Sequence, residues 1–487
     1  MISPPYPPGT RVLIPDGMAI AKAYLGSDFS IKQKDLFMEI RRNKGNNIDL
    51  NKFNDDKKIR DYIYKGHYED YFEADIVNML NLVDNRSRHI FFSIHSGFQM
   101  LYALPLAKYI KKRYGNLIVF GGSYFTAVDY RKIFEDFNFV DIIAVGNINN
   151  IHKRLLNAVK RSKRQLIIDN EMKNYPFHAD FTGLNLNDYR LNFPNVGQAK
   201  FACVQTSDGC PMGCTFCNAY RTRKVSMFKA TDVVKQIEDI QKRYKVSNFI
   251  LNNQYLNIGK NFVDDFCSLL IKKKLNVKWV SYARPENLDE TTIRKMKDSG
   301  CIHLSFGLES ASHRVLAKMN KGYDVNKFSE VLYFCKKYNI STNVNFIVGY
   351  PGEKHKDFLD TVKFIMRYGK YMDSYKVSKF LLLYGSEVYY GMKKDKLDYD
   401  GFLGFLLGSF RYPFKKPSSK EISSRFKECH SYCYKYILKE KYPFLRLVPF
   451  SIFHFLYNRG YMFRWTILYK AYLGLGHAIG LNRIIKK

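Results

Sequence analysis

The segment that decides the fold is Phe201-Ala-Cys-Val-Gln-Thr-Ser-Asp-Gly-Cys-Pro-Met-Gly-Cys-Thr-Phe-Cys217, an apolar strand that runs into a cysteine-rich loop. Beyond it, short apolar runs alternate with helical periodicity, which is typical of repeated βα units. Strands are expected at 201–205, 248–252, 277–283, 303–307, 343–349 and 376–383, with helices at 231–244, 260–273, 290–299, 325–338 and 356–368. These strands predict a partial (β/α)6 TIM-like barrel, whose chemistry should lie at the carboxyl ends of the strands, where the cysteine loop begins.

A second α/β region precedes this barrel. Its strands are expected at 89–94, 116–122 and 140–146, with helices at 100–114 and 130–137. The sequence therefore predicts a doubly wound, Rossmann-like sheet. We expect an amino-terminal domain of residues 1–165, a linker of residues 166–199, the barrel over residues 200–385, and a mainly helical region of residues 386–487.

The composition excludes a disordered chain, because 46% of the 487 residues are hydrophobic and 16% are aromatic. The 78 Lys and Arg residues exceed the 45 Asp and Glu residues, so the net charge is +33. Such an excess predicts attraction to an acidic partner and says nothing about the fold. The amino terminus lacks a signal-peptide pattern, and no run of about 18 uncharged apolar residues occurs, so a cytoplasmic location is expected.

Part of this positive charge is concentrated at the carboxyl terminus. Residues 441–487 contain eight Lys and Arg residues, no Asp or Glu, and eleven aromatic residues. Interleaved basic and aromatic residues suit a helix on an anionic membrane surface. They suit a nucleic-acid groove less well, and a helical cap over the barrel is the third interpretation. The first of these predicts peripheral membrane association.

Cys210, Cys214 and Cys217 have the spacing C-x-x-x-C-x-x-C. Three thiolates on a glycine-containing loop can converge on one face of an iron-sulfur cube. A structural zinc site would need a fourth ligand, and none is close in sequence. Three incidental cysteines in a βα loop are the remaining interpretation. Three ligands for a four-iron cluster would leave one iron open to a substrate or cofactor.

On these residues, and on later motifs in the expected order, the segment 200–385 resembles the radical S-adenosylmethionine (SAM) superfamily. The resemblance implies that the three cysteines hold a 4Fe-4S cluster whose open iron binds SAM. It implies reductive cleavage of SAM to a 5′-deoxyadenosyl radical, with electrons from a donor such as flavodoxin or ferredoxin. It also implies that Phe216 packs near the adenine, for which ordinary core packing is the alternative.

Two motifs are expected to reach the polar end of SAM. Gly307-Leu-Glu-Ser310 resembles the motif after the fourth strand of this superfamily, which implies contacts from Glu309 and Ser310. A solvated surface glutamate is the alternative for Glu309. In Ser281-Tyr-Ala-Arg-Pro-Glu286, Arg284 is a candidate for the cofactor carboxylate, because a guanidinium can bind a carboxylate bidentately.

The fifth strand is expected to reach the adenine. Asn345-Phe-Ile-Val-Gly-Tyr-Pro-Gly-Glu353 resembles the fifth-strand motif, which implies adenine contacts from Ile347 and Gly349. The glycines and proline of this motif could equally form a bare turn. Val315-Leu-Ala-Lys-Met-Asn-Lys-Gly322 also resembles a phrase common in one branch of the superfamily.

One stretch departs from the superfamily pattern. Asn252-Asn-Gln-Tyr-Leu-Asn257 stands where relatives carry an acidic pair or a glycine-rich segment near the ammonium group of SAM. Asn253 and Gln254 can accept hydrogen bonds there, but they bring no negative charge. The mode of cofactor binding therefore stays open.

The amino-terminal region resembles the cobalamin-binding domain of the class B branch. That resemblance implies that Gly121 and Gly122 allow close approach of the backbone to the nucleotide tail of cobalamin. No D-x-H-x-x-G sequence marks a lower cobalt ligand, and His95 is interpreted as structural. Gly146-Asn-Ile-Asn149 replaces an acidic sequence common in relatives. Either cobalamin binds without a protein ligand, or the domain keeps the fold without the cofactor.

The cysteine distribution narrows the function. A methylthiotransferase would need a second cluster in its amino-terminal domain, and no cysteine precedes Cys203. We therefore expect a radical SAM enzyme of the methyltransferase type that uses cobalamin to methylate an unactivated carbon. The alternatives are a cobalamin-independent rearrangement, oxidation or cyclisation of a small molecule, lipid or peptide, and a non-catalytic protein that retains the cluster. The sequence does not identify the substrate.

Overall fold

A computed structural model describes residues 1–6, 15–43, 47–83, 87–169, 179–193, 197–221, 225–259, 261–393, 397–439 and 450–451. Most of the basic, aromatic segment 441–487 lies outside these residues, and so does its expected membrane contact. Within the described residues, no helix is both long enough and apolar enough to cross a bilayer.

The amino-terminal part of the chain is built around a six-stranded parallel sheet. Its elements are β1 (Ile2–Ser3), α1 (Asp16–Leu25), β2 (Lys34–Asp35), α2 (Leu36–Arg42), α3 (Asp56–Lys65), α4 (Glu69–Asn81), β3 (His89–Ser93), α5 (Gly97–Tyr114), β4 (Leu117–Gly121), α6 (Tyr130–Asp136), β5 (Ile142–Val145), α7 (Ile148–Arg161) and β6 (Gln165–Ile168). The strand order is β2-β1-β3-β4-β5-β6. The central strands β4 and β5 are almost wholly apolar and buried, as expected for parallel strands covered by helices on both faces.

The predicted doubly wound sheet is thus confirmed, and its edges extend beyond the predicted strands. β1 and β2 are only two residues long, too short to produce an apolar run that sequence patterns reveal. At the other edge, β6 pairs with β5 in parallel. The boundary expected between residues 165 and 166 therefore falls inside a strand of this sheet.

The barrel follows a short hairpin. The elements are β7 (Arg190–Phe193), β8 (Gly197–Lys200), β9 (Ala202–Gln205), β10 (Ser207–Gly209), β11 (Val225–Met227), α8 (Ala230–Tyr244), β12 (Asn248–Asn252), α9 (Phe262–Lys272), β13 (Lys278–Ala283), α10 (Glu290–Asp298), β14 (Cys301–Glu309), α11 (His313–Lys318), α12 (Val325–Lys337), β15 (Ser341–Val348), α13 (His355–Tyr368) and β16 (Ser374–Lys379). Six strands form one parallel sheet in the order β16-β15-β14-β13-β12-β9. The partial (β/α)6 barrel is confirmed, with element ends that differ from the predicted ones by a few residues.

The remaining elements are β17 (Leu382–Leu383), α14 (Glu387–Tyr390), α15 (Gly401–Leu407), β18 (Ser409–Phe410) and α16 (Ser419–Cys433). Helix α15 packs into the core of the amino-terminal sheet, where the Tyr124 hydroxyl donates to the Leu406 carbonyl at 2.6 Å. Helix α16 packs against the barrel, with Ile422 and Cys429 in its core. The described parts of residues 386–487 therefore complete two other cores.

Candidate functional site

The cysteine loop leaves the barrel at the carboxyl end of β9. Strand β10 pairs with β11 in an antiparallel ribbon, and the ribbon holds the start of the loop. Within the loop, the Cys217 amide donates to the Cys214 carbonyl at 3.0 Å, which brings these two cysteines into one tight turn. Cys214 is buried, whereas Cys210 and Cys217 are half-buried. The loop thus presents its thiols at the top of the barrel.

A segment about a hundred residues downstream holds this loop in place. The Thr215 amide donates to the Met319 carbonyl at 3.0 Å, and the Asn320 side-chain amide donates to the Gly213 carbonyl at 2.9 Å. The Thr215 hydroxyl donates to the Lys318 carbonyl at 3.0 Å and bonds the Tyr350 hydroxyl at 2.7 Å. The conspicuous sequence 315–322 therefore anchors the cysteine loop.

Lys321 follows this anchor and is buried beside the loop. Its ammonium nitrogen lies 3.4 Å from Glu309 Oε1 and 5.7 Å from the centre of the Phe216 ring. Burial raises the pKa of Glu309, and Lys321 opposes that rise. A side chain on Gly307 would collide with the Glu309 carboxylate, 2.3 Å from the added carbon. Sequence reasoning missed Lys321, although it lies inside a quoted motif.

Arg284 is also buried here, but a carboxylate of the chain itself occupies it. Its Nε lies 3.2 Å from both Glu286 carboxylate oxygens, and its Nη2 lies 2.5 Å from one of them. Nη2 also donates to the Lys321 carbonyl. The bidentate contact expected for a cofactor carboxylate is thus made by Glu286 in this structure. Arg284 ties two segments of the site together.

Tyr255 completes this side of the site and was not a sequence candidate. Its ring centre lies 5.6 Å from the Arg284 guanidinium carbon. Burial raises the pKa of its phenol to about 12, and the neighbouring Cys210 contributes to the rise. An aromatic ring directly after Gln254 carried no sequence signal that distinguished it from core packing.

The cysteines fit an iron-sulfur cluster by chemistry and by surroundings. Burial raises the pKa of the Cys210 and Cys217 thiols, and the negative charge of Cys214 raises both further, while Lys321 lowers them. Three mutually interacting thiols beside a buried cation are a suitable donor set for a ligand that keeps them deprotonated. Among the described residues, no group of three or more His, Cys, Asp or Glu side chains is arranged for a single ion. A four-iron cluster does not require the thiolates to meet at one point, since each thiolate binds its own iron.

The other barrel candidates divide into two groups. Phe216 and Ile347 lie half-buried around one apolar cluster beside the loop. Ser310, by contrast, is fully buried against α13, where its hydroxyl lies 3.2 Å from the Thr361 hydroxyl. Gly349 faces α16, because an added side-chain carbon would lie 2.6 Å from Ile422. The Ser310 side chain and the Gly349 Cα therefore do not face the cysteine loop in this structure.

A cavity of about 360 Å³ separates the two sheets. It is lined on one side by Gly121, Gly122 and His95, at the carboxyl edge of the amino-terminal sheet, and on the other by Asn253 and Gln254. The β2-β1-β3 strand order makes this edge the switch point at which doubly wound sheets bind ligands. The glycine pair and the amide pair, which the sequence suggested for two different cofactors, thus share one cavity.

Gly121 and Gly122 differ in whether their surroundings could accommodate a side chain. Gly122 has φ +125°, and an added side-chain carbon would lie 2.1 Å from the Ile94 carbonyl oxygen. At Gly121 the nearest atom would be 3.7 Å away, an ordinary contact. Gly122 is therefore required by the backbone of its own domain, whereas Gly121 leaves space at the cavity wall.

His95 and Asn253 are held by neighbouring side chains. The His95 ring nitrogens lie 3.3 Å from the hydroxyls of Ser93 and Ser123, and burial lowers the pKa of the imidazole. Asn253 donates to the Thr206 hydroxyl at 2.9 Å and to the Ser281 hydroxyl at 3.1 Å. The geometry of His95 agrees with the structural role expected for it.

Residues 204–365 match the family model described as the radical SAM superfamily. Over 310 residues the chain is 27% identical to the tRNA-2-methylthio-N(6)-dimethylallyladenosine synthase of Sulfurihydrogenibium sp. (strain YO3AOP1), covering 61% of this chain and 66% of that protein. The matched segment thus spans just under two thirds of that relative. The radical SAM match covers residues 204–365, the part of the chain that contains the cysteine loop and most of the barrel.

Solved structures extend the likeness to both sheets. The radical SAM methyltransferase TsrM from Kitasatospora setae, with cobalamin and a [4Fe-4S] cluster bound, superposes with a TM-score of 0.60 at 12% identity, covering 86% of this chain and 89% of that one. The cobalamin-dependent SAM radical enzyme OxsB, with aqua-cobalamin and SAM bound, gives 0.60 at 14% identity, covering 87% and 64%. This chain therefore shares its fold, over both sheets, with these two structures.

Proposed function

We propose that this protein is a radical SAM enzyme that cleaves SAM reductively and uses cobalamin to methylate an unactivated carbon. The observation that carries the proposal is the position of the cavity. Its barrel wall includes Asp208 and Gly209, which directly precede Cys210. A group bound against the amino-terminal sheet would therefore face the same barrel mouth as the cysteine loop.

When bound, the cluster would supply the electron that cleaves SAM, and cobalamin would carry the methyl group. Cys210, Cys214 and Cys217 would hold the cluster, while the anchor at residues 318–320 keeps their loop closed. Lys321 and Glu309 place one fixed charge of each sign beside the loop, suited to the carboxylate and ammonium ends of an amino acid. Phe216 and Ile347 offer an apolar surface for the adenine. An external one-electron donor such as flavodoxin or ferredoxin would be required.

Anaerobic reconstitution with iron and sulfide tests the cluster. Wild type should take up about four irons per chain and release 5′-deoxyadenosine from SAM. The Cys214→Ala variant should lose both properties. The Cys203→Ala variant is the matched control, because Cys203 lies on β9 outside the loop, and it should retain both. Equal iron content and SAM cleavage in the two variants would contradict the cluster assignment.

Corrinoid uptake tests the methylation step separately. Hydroxocobalamin should bind the full chain, as measured by its visible absorbance after gel filtration. If SAM is cleaved but no corrinoid is retained, the cobalamin part of the proposal fails. The remaining function would then be a radical rearrangement, oxidation or cyclisation.

A further inference from the structure

The inner face of the barrel carries a band of polar side chains that the proposed function does not use. Strand register places Tyr282, Ser305, Asn343 and Ser374 side by side across β13 to β16. One step closer to the cysteine loop, the same registers align Gly307, Asn345 and Lys376. Because side chains alternate along a strand, residues two apart in these rows lie on one face.

The solvent exposure of the two faces of the sheet shows that the inner face is open. The alternate residues on β14, β15 and β16 are buried against helices, among them Leu304, Val344 and Val377. By contrast, Tyr282 is 52% exposed, and Ser305 and Asn343 are only half-buried. A barrel interior filled only by packing would bury these side chains. The inner face therefore presents hydroxyl and amide groups to whatever enters the barrel.

Lys376 gives this band a positive charge. It is exposed although it stands in the middle of β16 on the inner face. Within the described ranges, no carboxylate lies within 4.0 Å of its ammonium nitrogen, and the Glu309 carboxylate that interacts with it is held by Lys321. Lysine on an edge strand can also serve only to prevent strand pairing. That role alone would not account for the hydrogen-bonded amide and hydroxyl groups aligned beside it.

The side-chain amides beside Lys376 are already aligned. Asn343 donates to Asn345 Oδ1 at 2.9 Å, and the Ser374 hydroxyl donates to Asn343 Oδ1 at 3.1 Å. This network fixes the orientation of the band before any ligand arrives. Lys376 is aligned with Gly307, two residues before Glu309, whose carboxylate interacts with Lys376. A molecule held by Lys376 would thus extend toward the cysteine loop.

We propose that the substrate is a small polar molecule bearing a carboxylate or phosphate, and that Lys376 binds this anion while Asn345 and Tyr282 contact the neighbouring part of the substrate. The assignment of this anion site to the substrate rests on the proposed radical SAM function. The inference excludes a wholly apolar substrate, because a lipid chain would leave the Lys376 ammonium group desolvated without a compensating partner.

The test uses three ring compounds of similar size, benzoate, phenyl phosphate and neutral benzamide, with the reconstituted full chain and S-adenosylhomocysteine present. Binding is followed by ligand-observed NMR, since affinities of about millimolar are expected for such small probes. One or both anions should bind wild type, and which one binds distinguishes a carboxylate from a phosphate substrate. Benzamide should bind at least fivefold more weakly.

Lys376→Met should weaken anion binding at least fivefold, and Lys376→Arg should restore it. Lys379→Met is the matched control. It removes the same charge from the same strand, but Lys379 faces α16, where it donates to the Ser423 hydroxyl at 3.1 Å. Equal losses in the two Met variants would mean general attraction to a basic protein and would overturn the proposal. Anion binding that appears only in a parallel sample without S-adenosylhomocysteine would also overturn it, since the site would then be the cofactor's.

The proposed function is measured separately in the same samples. Wild type and the control Lys379→Met should both cleave SAM without substrate, at rates within about twofold of each other. If wild type fails to cleave SAM while anion binding depends on Lys376, the radical SAM proposal fails and the anion site stands. If SAM is cleaved while the Lys376→Met variant binds anions as wild type does, the substrate inference fails alone.

Discussion

The Lys321 ammonium lies 3.4 Å from the Glu309 carboxylate, and the two side chains are only 7% and 11% exposed. Such a pair is expensive to break, because the remaining charge is left buried without a partner. Its position beside the cysteine loop also gives it an electrostatic effect on anything that the thiolates hold. Both consequences can be measured.

Lys321→Met should destabilise the protein by about 3 kcal/mol, while Lys321→Arg keeps the charge and should cost about 1 kcal/mol or less. The reduction potential of the reconstituted cluster should become more negative in Lys321→Met, because a nearby positive charge favours the reduced, more negative cluster. Electrochemical titration and denaturant unfolding check the two parts. An unchanged potential would place Lys321 too far from the cluster to influence it.

Substituting alanine at Gly121 and at Gly122 should have different effects on stability, although the two residues are neighbours. Gly122→Ala should cost at least about 2 kcal/mol, because alanine is strained at φ +125° and its side chain would meet the Ile94 carbonyl. Gly121→Ala should stay within about 0.5 kcal/mol of wild type. Thermal unfolding measures both. Equal effects at the two positions would show that the cavity wall is not where we place it.

The same Gly121→Ala variant also tests the cavity. The alanine methyl group would narrow the cavity without disturbing the sheet. Hydroxocobalamin should therefore bind to this variant more weakly than to wild type. A variant that is stable and binds the corrinoid with unchanged affinity would move the corrinoid site away from this edge.

The anchor of the cysteine loop predicts cluster lability. Thr215→Val keeps the shape of the side chain but removes its bonds to the Lys318 carbonyl and the Tyr350 hydroxyl, at about 1 kcal/mol for each bond. The two bonds together amount to about 2 kcal/mol, so opening of the loop should become roughly 30-fold more frequent, and a chelator should remove iron correspondingly faster. Thr231→Val, an exposed position in the first turn of α8, is the control and should lose iron at the wild-type rate.

The sequence predicted the barrel because its strands are long, apolar and buried on their helix-facing side, so that local pattern and tertiary position agree. It could not predict that α15 completes the amino-terminal core, since the Tyr124–Leu406 hydrogen bond joins residues 282 positions apart. The cysteines were found because their spacing is itself the signal. Lys321 was missed because its role arises only when Glu309 and Phe216 are brought to it from two other segments.

The same limit explains Ser310. Its motif placed it beside Glu309, but successive residues of an extended chain point in opposite directions, and Ser310 follows a Glu309 with φ +65°. The chain thus turns the serine toward Thr361 and leaves the glutamate at the site. Motif resemblance identified the segment, and backbone geometry decided which of its side chains reaches the site.

Asp357 gives a prediction of pH dependence. It lies in the first turn of α13 and accepts hydrogen bonds from the Ser312 hydroxyl at 2.7 Å, from the Lys354 amide at 2.7 Å, and from Arg314. Burial alone would raise its pKa, but Arg314 and these hydrogen bonds outweigh burial and lower the pKa from 3.8 to about 2. The ionised carboxylate therefore stabilises the fold by about 2 kcal/mol at any pH well above 3.8. This contribution is lost as the pH falls from 3.8 toward 2.

Asp357→Asn should accordingly be less stable than wild type by about 2 kcal/mol at pH 7, and the difference should shrink between pH 4 and pH 3. Urea unfolding at pH 7, 5, 4 and 3 measures it. Asp360→Asn, one turn further along α13, removes the same charge and should change stability by no more than about 0.5 kcal/mol at any of these pH values. A deficit in Asp357→Asn that stays constant down to pH 3 would mean that the amide disturbs packing, and that the carboxylate charge does not stabilise this helix start.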